Sequence, residues 1–203
     1  FGSGYSLALA SYKAMECGKT GMEFAVGIPG SIGGAVYMNA GAYDGEMQNI
    51  VNCVKVMDLQ GNERVLTAEE LNFGYRKTSL QNSGLIVTEV TLKMPSGNKD
   101  EIKSKMDDFS HRRISKQPLE MPSAGSMFKR PPGYFAGTLI DQAGLKGYTV
   151  GGAQISTKHA GFVVNVGGAT AADVLQLIKD VQTKIKAGVG VELQPEVLVI
   201  GEE

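Results

Sequence analysis

A glycine-rich stretch at residues 27–35 places the tightest constraint on how this chain can fold. It reads Gly-Ile-Pro-Gly-Ser-Ile-Gly-Gly-Ala, and glycine lets the backbone adopt positive φ and approach a neighbour closely. If such a loop opens a helix, it aims N–H groups and a positive dipole end at an anion, typically a phosphate. A tight turn between two packed elements explains the same composition. The residues alone leave both interpretations open.

The stretch matches neither of the two common nucleotide-binding fingerprints. A P-loop requires Lys followed by Ser or Thr after its last glycine, whereas Gly34 is followed by Ala35. The dinucleotide fingerprint Gly-x-Gly-x-x-Gly does not fit either, because Gly27 and Gly30 are three residues apart. A phosphate-bearing cofactor on this loop would therefore be held in another fold.

Composition excludes several classes of partner. The 203 residues carry a net charge of −1, so there is no basic field for a nucleic acid. No apolar run approaches the roughly 20 residues that cross a bilayer, and we expect no membrane partner. Cys17 and Cys53 lie in no metal or redox spacing. We therefore expect reduced core thiols in a cytoplasmic protein, and no metal site.

The hydrophobic pattern alternates between helical and strand periodicity along the whole chain. Strands in hairpins that are interrupted by short helices predict an α+β fold rather than a doubly wound sheet. Capping residues predict helix starts at Ser3 or Ser6, at Thr67 and at Thr170. The predicted helices cover about 7–18, a short segment from Thr67, 98–116, 138–143 and 170–188, and the predicted strands cover 50–59, 64–66, 84–93, 148–155, 161–166 and 192–200.

Three polar residues are candidates for a catalytic or ligand-binding role, and each is weighed against an ordinary structural role. Arg76 is either a solvated loop residue beside Lys77 or a fork for a carboxylate or phosphate. Ser126 lacks the Gly-x-Ser-x-Gly elbow of hydrolases, so a structural serine is the simpler interpretation. Glu196 lies in an apolar predicted strand, where burying an unpaired carboxylate is costly. From these residues alone, an enzyme and a nucleotide-sugar-binding module stay equally open.

Five ordered motifs carry a family resemblance. Taken together they resemble the UDP-N-acetylenolpyruvoylglucosamine reductases, flavoenzymes of bacterial cell-wall precursor synthesis, in the shorter type that lacks an extra tyrosine-bearing loop. The resemblance covers essentially the whole chain. The motifs are residues 27–35 with 39–43, residues 75–79, residues 124–129, residues 139–147 and residues 193–197.

The resemblance implies a fold and a cofactor, FAD. Residues 1–108 resemble the second subdomain of a vanillyl-alcohol-oxidase-type FAD-binding fold. Residues 109–203 resemble an α+β substrate-binding domain whose final strand returns to the flavin side. The first FAD subdomain would lie before Phe1, so we expect this chain alone to bind FAD poorly and assign the activity to a parent protein. The resemblance assigns FAD contacts to Gly27, Ile28, Pro29, Gly30, Ser31, Gly33, Gly34, Asn39, Gly41 and Ala42, with the helix start close to the FAD diphosphate.

The resemblance also implies a reaction. Hydride from NADPH passes by way of FAD to the enolpyruvyl double bond of UDP-N-acetylglucosamine enolpyruvate, and the product is UDP-N-acetylmuramate. Arg76 and Glu196 polarise the substrate's carboxyl group, Glu196 when it is protonated or shares a proton. Ser126 donates the proton that quenches the enolate-like intermediate. We expect a cytoplasmic monomer.

Five further residues are implied to bind the substrate. Lys146 suits the UDP phosphates, Arg130 stands where some members have asparagine, and His159 stands where some have glutamine. Another sugar or lactone oxidase with FAD, or a non-catalytic nucleotide-sugar-binding fragment, is the alternative function. The implied substrate-binding residues are Lys116, Arg130, Tyr134, Lys146 and His159.

Overall fold

The structure is a computed structural model that describes residues 1–43 and 45–201. The chain divides into two compact units, Phe1–Arg113 and Ile114–Glu203, and each has a hydrophobic core of its own. Both units combine helices with antiparallel strands, so the α+β prediction is confirmed. The flavin role of residues 1–108 and the substrate role of residues 109–203 stay predictions.

The first unit is built around a three-stranded antiparallel sheet whose middle strand is buried. Val54 and Val56 on that strand are fully buried, as expected for alternating apolar residues that face a core. Ser6 caps the first helix by accepting a hydrogen bond from Leu9 N at 3.4 Å. The elements are α1 (Leu7–Glu16), α2 (Ile32–Tyr37), β1 (Gly41–Ala42) paired with β2 (Gly45–Glu46), the sheet of β3 (Val51–Met57), β4 (Glu63–Thr67) and β5 (Ile86–Leu92) in the order β4-β3-β5, and α3 (Lys99–Lys116), most of which belongs to this unit.

The second unit packs two helices on a four-stranded antiparallel sheet. Its long C-terminal helix begins with a capping box, in which Thr170 and Asp173 bond each other's backbone N–H groups. The predicted apolar stripe of this helix is buried at Leu177, Val181 and Ile185. The elements are β6 (Ser123–Ser126), α4 (Ala136–Gln142), β7 (Thr149–Val150), β8 (Ala153–Ile155), β9 (Phe162–Asn165) and α5 (Ala171–Val189), with the sheet order β6-β9-β8-β7.

Two predicted element boundaries are wrong because of glycine geometry. The expected single strand at 148–155 is a hairpin, since Gly151 adopts φ 53° and turns the chain between β7 and β8. Gly188 does not stop α5. The helix continues to Val189 and ends at Gly190, which takes the left-handed conformation that closes a helix.

Two further predicted elements do not form. Thr67 and Glu70 make the capping-box contacts, but only hydrogen-bonded turns follow, because Asn72 enters the left-handed region at φ 43°. The final strand expected at 192–200 is reduced to a single bridge between Phe128 and Pro195. Proline has no N–H to donate to a ladder, which limits regular pairing there.

The cysteine prediction is wrong in its placement. Cys17 is exposed and Cys53 is half-buried, and both are free thiols, so neither is a core residue. Among residues 1–43 and 45–201, no helix is both long enough and apolar enough to cross a membrane.

The capping box of α5 gives a first testable prediction. Thr170→Ala removes the side-chain acceptor for Asp173 N, which lies 3.1 Å away. We expect the free energy of unfolding, measured by urea denaturation, to fall by about 1 kcal/mol. The matched control is Thr183→Ala in the exposed interior of the same helix, which should be neutral or stabilising because alanine favours helices. Equal losses in both variants would contradict the capping role.

Candidate functional site

The start of helix α2 is already hydrogen-bonded within the chain. A helix N-terminus normally leaves N–H groups without intrahelical partners, and these can bind an anion. Here three of them donate to groups of the protein, so they are not available to a phosphate. The bonds run from Ile32 N to Tyr5 O at 2.9 Å, from Gly33 N to Ser3 O at 2.9 Å and from Gly34 N to Ser31 Oγ at 3.2 Å.

The glycines of the predicted flavin site meet two different requirements. A Cβ at Gly33 would lie 2.7 Å from Ser3 Cβ, and a Cβ at Gly41 would lie 2.8 Å from Gly45 O. These two positions are therefore glycine because of internal packing. Gly30 is exposed, adopts φ 125°, and would have no atom within 4 Å of an added Cβ. Its backbone is a surface without side chains that a ligand can approach closely.

An aromatic cluster at the end of the first unit borders this loop, and sequence analysis missed it. The ring of Tyr43 stacks on Phe109 with centroids 4.2 Å apart, and the Tyr43 hydroxyl donates to Phe109 O at 3.0 Å. The guanidinium of Arg113 lies 5.9 Å from the Tyr43 ring centroid. A Cβ at Gly27 would come within 3.0 Å of Arg113 Cδ. The spacing of Phe109 and Arg113, one turn apart on α3, was the available signal.

Arg76 occupies a tight, ordered turn. Gly74 and Lys77 exchange two backbone hydrogen bonds of 2.9 and 3.1 Å, and Arg76 adopts a left-handed φ of 54°. Its Nη2 donates to Gly41 O at 3.1 Å, and its guanidinium lies 5.1 Å from the Tyr75 ring centroid. The half-buried side chain is therefore held in place, which a freely solvated loop residue would not be.

Asn39 connects this turn to the glycine motif. Its side chain is fully buried, and its Nδ2 donates to Gly74 O at 3.0 Å and to Glu46 Oε2 at 3.1 Å. Its Oδ1 accepts from Gln48 N at 3.0 Å, so the amide is well satisfied within the protein. The structure thus brings Asn39, Gly41 and Arg76 together, although their predicted roles differed.

In the second unit, main-chain hydrogen bonds pair the segment that carries Glu196 with the residues that follow Ser126. Glu196 N donates to Met127 O at 2.8 Å, and Lys129 N donates to Gln194 O at 2.9 Å. Ser126 is exposed at the end of β6, where a register shift follows Ser123. Two of the three predicted catalytic residues therefore lie in adjacent backbone segments.

Two lysines, Lys116 and Lys146, lie close enough to His159 to affect its pKa. Burial is the main cause that lowers the pKa of His159 from its ordinary value, and the charges of Lys146 and Lys116 lower it further. Lys146 Nζ also bonds Asp141 Oδ2 at 2.7 Å. His159 Nδ1 accepts from Gly161 N at 3.1 Å, which leaves Nε2 to carry the proton of the neutral ring. Three predicted substrate residues are thus close enough for their charges to interact.

The other two predicted substrate residues lie in one loop. Tyr134 N donates to Pro131 O at 3.1 Å, which closes a turn. The guanidinium of Arg130 lies 4.0 Å from the centroid of the exposed Phe135 ring, a cation–π contact. In the part of the chain that the structure describes, no group of three His, Cys, Asp or Glu side chains is arranged to hold a metal ion.

Comparisons with known proteins agree with the resemblance in the motifs. The UDP-N-acetylenolpyruvoylglucosamine reductase of Clostridium perfringens (strain SM101 / Type A) is 54% identical over 201 residues, which are 99% of this chain and 66% of that protein. The reductase of Pediococcus pentosaceus is 52% identical over 99% of this chain and 67% of its own. The crystal structure of the reductase from Thermus caldophilus matches with a TM-score of 0.84 and 42% identity, over 96% of this chain and 70% of that chain.

This chain belongs to the UDP-N-acetylenolpyruvoylglucosamine reductase family. The family's C-terminal domain model matches residues 117–200, so the resemblance inferred from the five motifs is confirmed. The chain spans about two thirds of the length of the curated reductases, 66% in the first case and 67% in the second.

Gly33 of this reductase-family chain tests the packing interpretation of the glycine motif. Gly33→Ala places a methyl group against Ser3, and we expect the free energy of unfolding to fall by about 1–3 kcal/mol. Gly188→Ala is the matched control, because no atom lies within 4 Å of its added Cβ and alanine in a helix interior should stabilise by about 1 kcal/mol. Chemical denaturation measures both. A Gly33→Ala variant as stable as wild type would contradict the packing requirement.

His159 predicts a pH dependence of stability. Because its pKa is lowered in the folded state, the unfolded chain binds the proton more readily. Above the unfolded pKa of about 6.5 the ring is neutral in both states, and its burial does not lower the free energy of unfolding. As the pH falls toward the folded pKa, the unfolded chain takes up the proton first, so the free energy of unfolding decreases. We expect His159→Gln to lose less unfolding free energy than wild type between pH 7.5 and 5.5, measured by urea denaturation. Parallel pH profiles would contradict a lowered pKa, which NMR titration of the ring checks independently.

Proposed function

We propose that this chain carries the substrate-reducing site of an NADPH-dependent flavoenzyme that converts UDP-N-acetylglucosamine enolpyruvate to UDP-N-acetylmuramate. Family membership supports the reaction class. The observation that carries the proposal is the hydrogen bond from Glu196 N to Met127 O at 2.8 Å, because it holds the backbone of Glu196 one residue from that of Ser126 across the paired segments. The same proposal includes a cytoplasmic location and a monomeric state.

The glycine loop fits FAD in part. The exposed backbone at Gly30 allows the close approach that a planar cofactor needs. Arg113, whose guanidinium lies over the Tyr43 ring, is the neighbour of Gly27 in the same loop. The first-turn amides of α2 are already used, so other groups must hold the diphosphate. We assign residues 1–108 to the second subdomain of a vanillyl-alcohol-oxidase-type FAD-binding fold. When bound, FAD supplies the hydride chemistry, accepting hydride from NADPH and delivering it to the substrate's double bond.

Ser126 is proposed to supply the proton that completes the reduction. Hydride addition to the terminal carbon of the enolpyruvyl group moves the electron pair onto the carbon that bears the carboxyl group. That carbon is basic enough to take a proton from a hydroxyl group, although serine is a weak acid. The exposed position of Ser126 at the end of β6 leaves its hydroxyl accessible to a ligand.

Arg76 and Glu196 are proposed to act on the substrate's carboxyl group. Negative charge develops there in the enolate-like intermediate, and preorganised groups aimed at developing charge contribute strongly to catalysis. A guanidinium matches a carboxyl group with two parallel hydrogen bonds. The fixed turn of Arg76 supplies the preorganisation that this role requires.

The cationic cluster is proposed to bind the nucleotide diphosphate. Lys116 and Lys146 both act electrostatically on His159, so an anion placed near the ring meets two ammonium groups, of which Lys146 also pairs with Asp141. The loop of Arg130 and Tyr134 adds a further cation and an exposed aromatic ring. These five residues would then set affinity for the substrate, and the carboxyl-binding residues would set the rate.

The half-reactions of the FAD-loaded holoenzyme test the proposal. The wild-type enzyme should be yellow, bleach with NADPH under anaerobic conditions, and regain its colour when UDP-N-acetylglucosamine enolpyruvate is added. Ser126→Ala should bleach at the wild-type rate but regain colour about 10²–10⁴-fold more slowly, because it has lost its proton donor. Stopped-flow absorbance measures both steps.

A neighbouring serine supplies the control. Ser123→Ala removes the hydrogen bond from Gly125 N to Ser123 Oγ at 3.2 Å but keeps the proposed donor, so it should keep the bleaching rate and regain colour much faster than Ser126→Ala. Unchanged recolouring in Ser126→Ala would remove Ser126 from the mechanism. An enzyme that reacts rapidly with oxygen but not with the enolpyruvyl substrate would instead be an oxidase, and a full-length parent protein that cannot be loaded with FAD would overturn the proposal.

A further inference from the structure

The backbone of Arg76 is held in an unfavourable conformation. Its φ of 54° lies in the left-handed region, which residues with a Cβ rarely adopt. Such a conformation persists only when the surrounding structure holds it, and it is often found where function depends on the position of a side chain. The question is therefore which groups hold the turn.

Gln81 binds the carbonyl of Arg76 directly. Its Nε2 donates to Arg76 O at 3.1 Å and to Tyr37 O at 3.3 Å. Tyr37 is the last residue of α2, the helix that the glycine loop opens. One side-chain amide thus joins the Arg76 turn to the end of that helix.

Other bonds to the turn act on different atoms. Asn39 Nδ2 binds Gly74 O, at the start of the turn. The buried Thr78 hydroxyl donates to Tyr37 O at 2.8 Å, so that carbonyl keeps a donor when Gln81 is changed. The bond from Gln81 to Arg76 O acts on the strained residue itself.

We propose that Gln81 is a positioning residue that keeps the Arg76 guanidinium where the substrate's carboxyl group binds. The inference rests on the proposed function, since it takes Arg76 as the carboxyl-binding group. Without the amide of Gln81, the turn loses a direct restraint on the left-handed residue and the guanidinium leaves its working position for part of the time. Binding groups held loosely by their supporting contacts lose rate through misplacement.

Gln81→Met tests this in the FAD-loaded holoenzyme, because methionine keeps the side-chain length and removes both donors. We expect anaerobic recolouring by UDP-N-acetylglucosamine enolpyruvate to slow by about 10- to 100-fold, with bleaching by NADPH unchanged. Gln81→Glu is the second variant. It replaces the amide N–H₂ with oxygen facing two carbonyls, and it should slow recolouring at least as much.

A double-mutant cycle separates positioning from general destabilisation. In an Arg76→Lys background, Gln81→Met should change the recolouring rate by less than about threefold, because the group that it positions is gone. Ser83→Ala is the matched control in the same loop. Its hydroxyl bonds Leu80 O at 2.7 Å and Leu85 N at 3.1 Å, so the variant loses local hydrogen bonds and should keep the wild-type rate.

The outcomes are distinguishable. If Gln81→Met recolours at the wild-type rate, or slows equally with Arg76 and with Lys at position 76, the positioning role is overturned and the proposed function stands. If the wild-type holoenzyme is not recoloured by the enolpyruvyl substrate, the proposed function fails and the inference fails with it.

Discussion

The pairing of residues 127–129 with residues 194–196 is the interaction on which the candidate chemistry depends. Its two hydrogen bonds are between main-chain atoms, so they do not rely on any one side chain. Met127 and Leu193 are buried in the core of the second unit, and this burial keeps the two segments in register. The core thus fixes the backbone of Glu196 opposite Met127, the residue that follows Ser126, and rigid support of this kind is what the proposed roles of the two residues require.

In the first unit, side-chain amides rather than main-chain pairing hold a candidate residue, Arg76, in place. The turn that carries the left-handed Arg76 is closed by the backbone bonds between Gly74 and Lys77, and Asn39 and Gln81 bind two of its carbonyl groups from outside. The glycine motif contributes in two ways. Gly33 lets α2 approach Ser3, and Gly30 leaves an open backbone surface. The packing interpretation thus applies to Gly33, and a ligand contact at Gly30 stays a prediction.

Elements with strong local signals could be predicted from the sequence. The period of α5, the capping box at Thr170 and the strand β3 all appear where the pattern indicated. The prediction of a final strand at 192–200 was wrong because its alternating residues include Pro195. Pairing there is limited to one bridge. Asn39 binds the Arg76 turn from 35 residues away, so no local pattern could reveal it as a support. Gln81 lies only five residues after Arg76, but its local sequence carries no signal for a bond from its side chain to the Arg76 carbonyl. The family motifs pointed to Ser126 and Glu196 as separate residues, and the fold shows that their backbone segments pair.

The most direct test is a crystal structure of the FAD-loaded holoenzyme with UDP-N-acetylglucosamine enolpyruvate bound. The measurement is the distance from Ser126 Oγ to the substrate carbon that bears the carboxyl group. The account predicts about 3–3.5 Å, the separation of groups poised to react, with Glu196 against the carboxyl group. A substrate whose enolpyruvyl group lies against other residues, with Ser126 and Glu196 both out of reach, would contradict it.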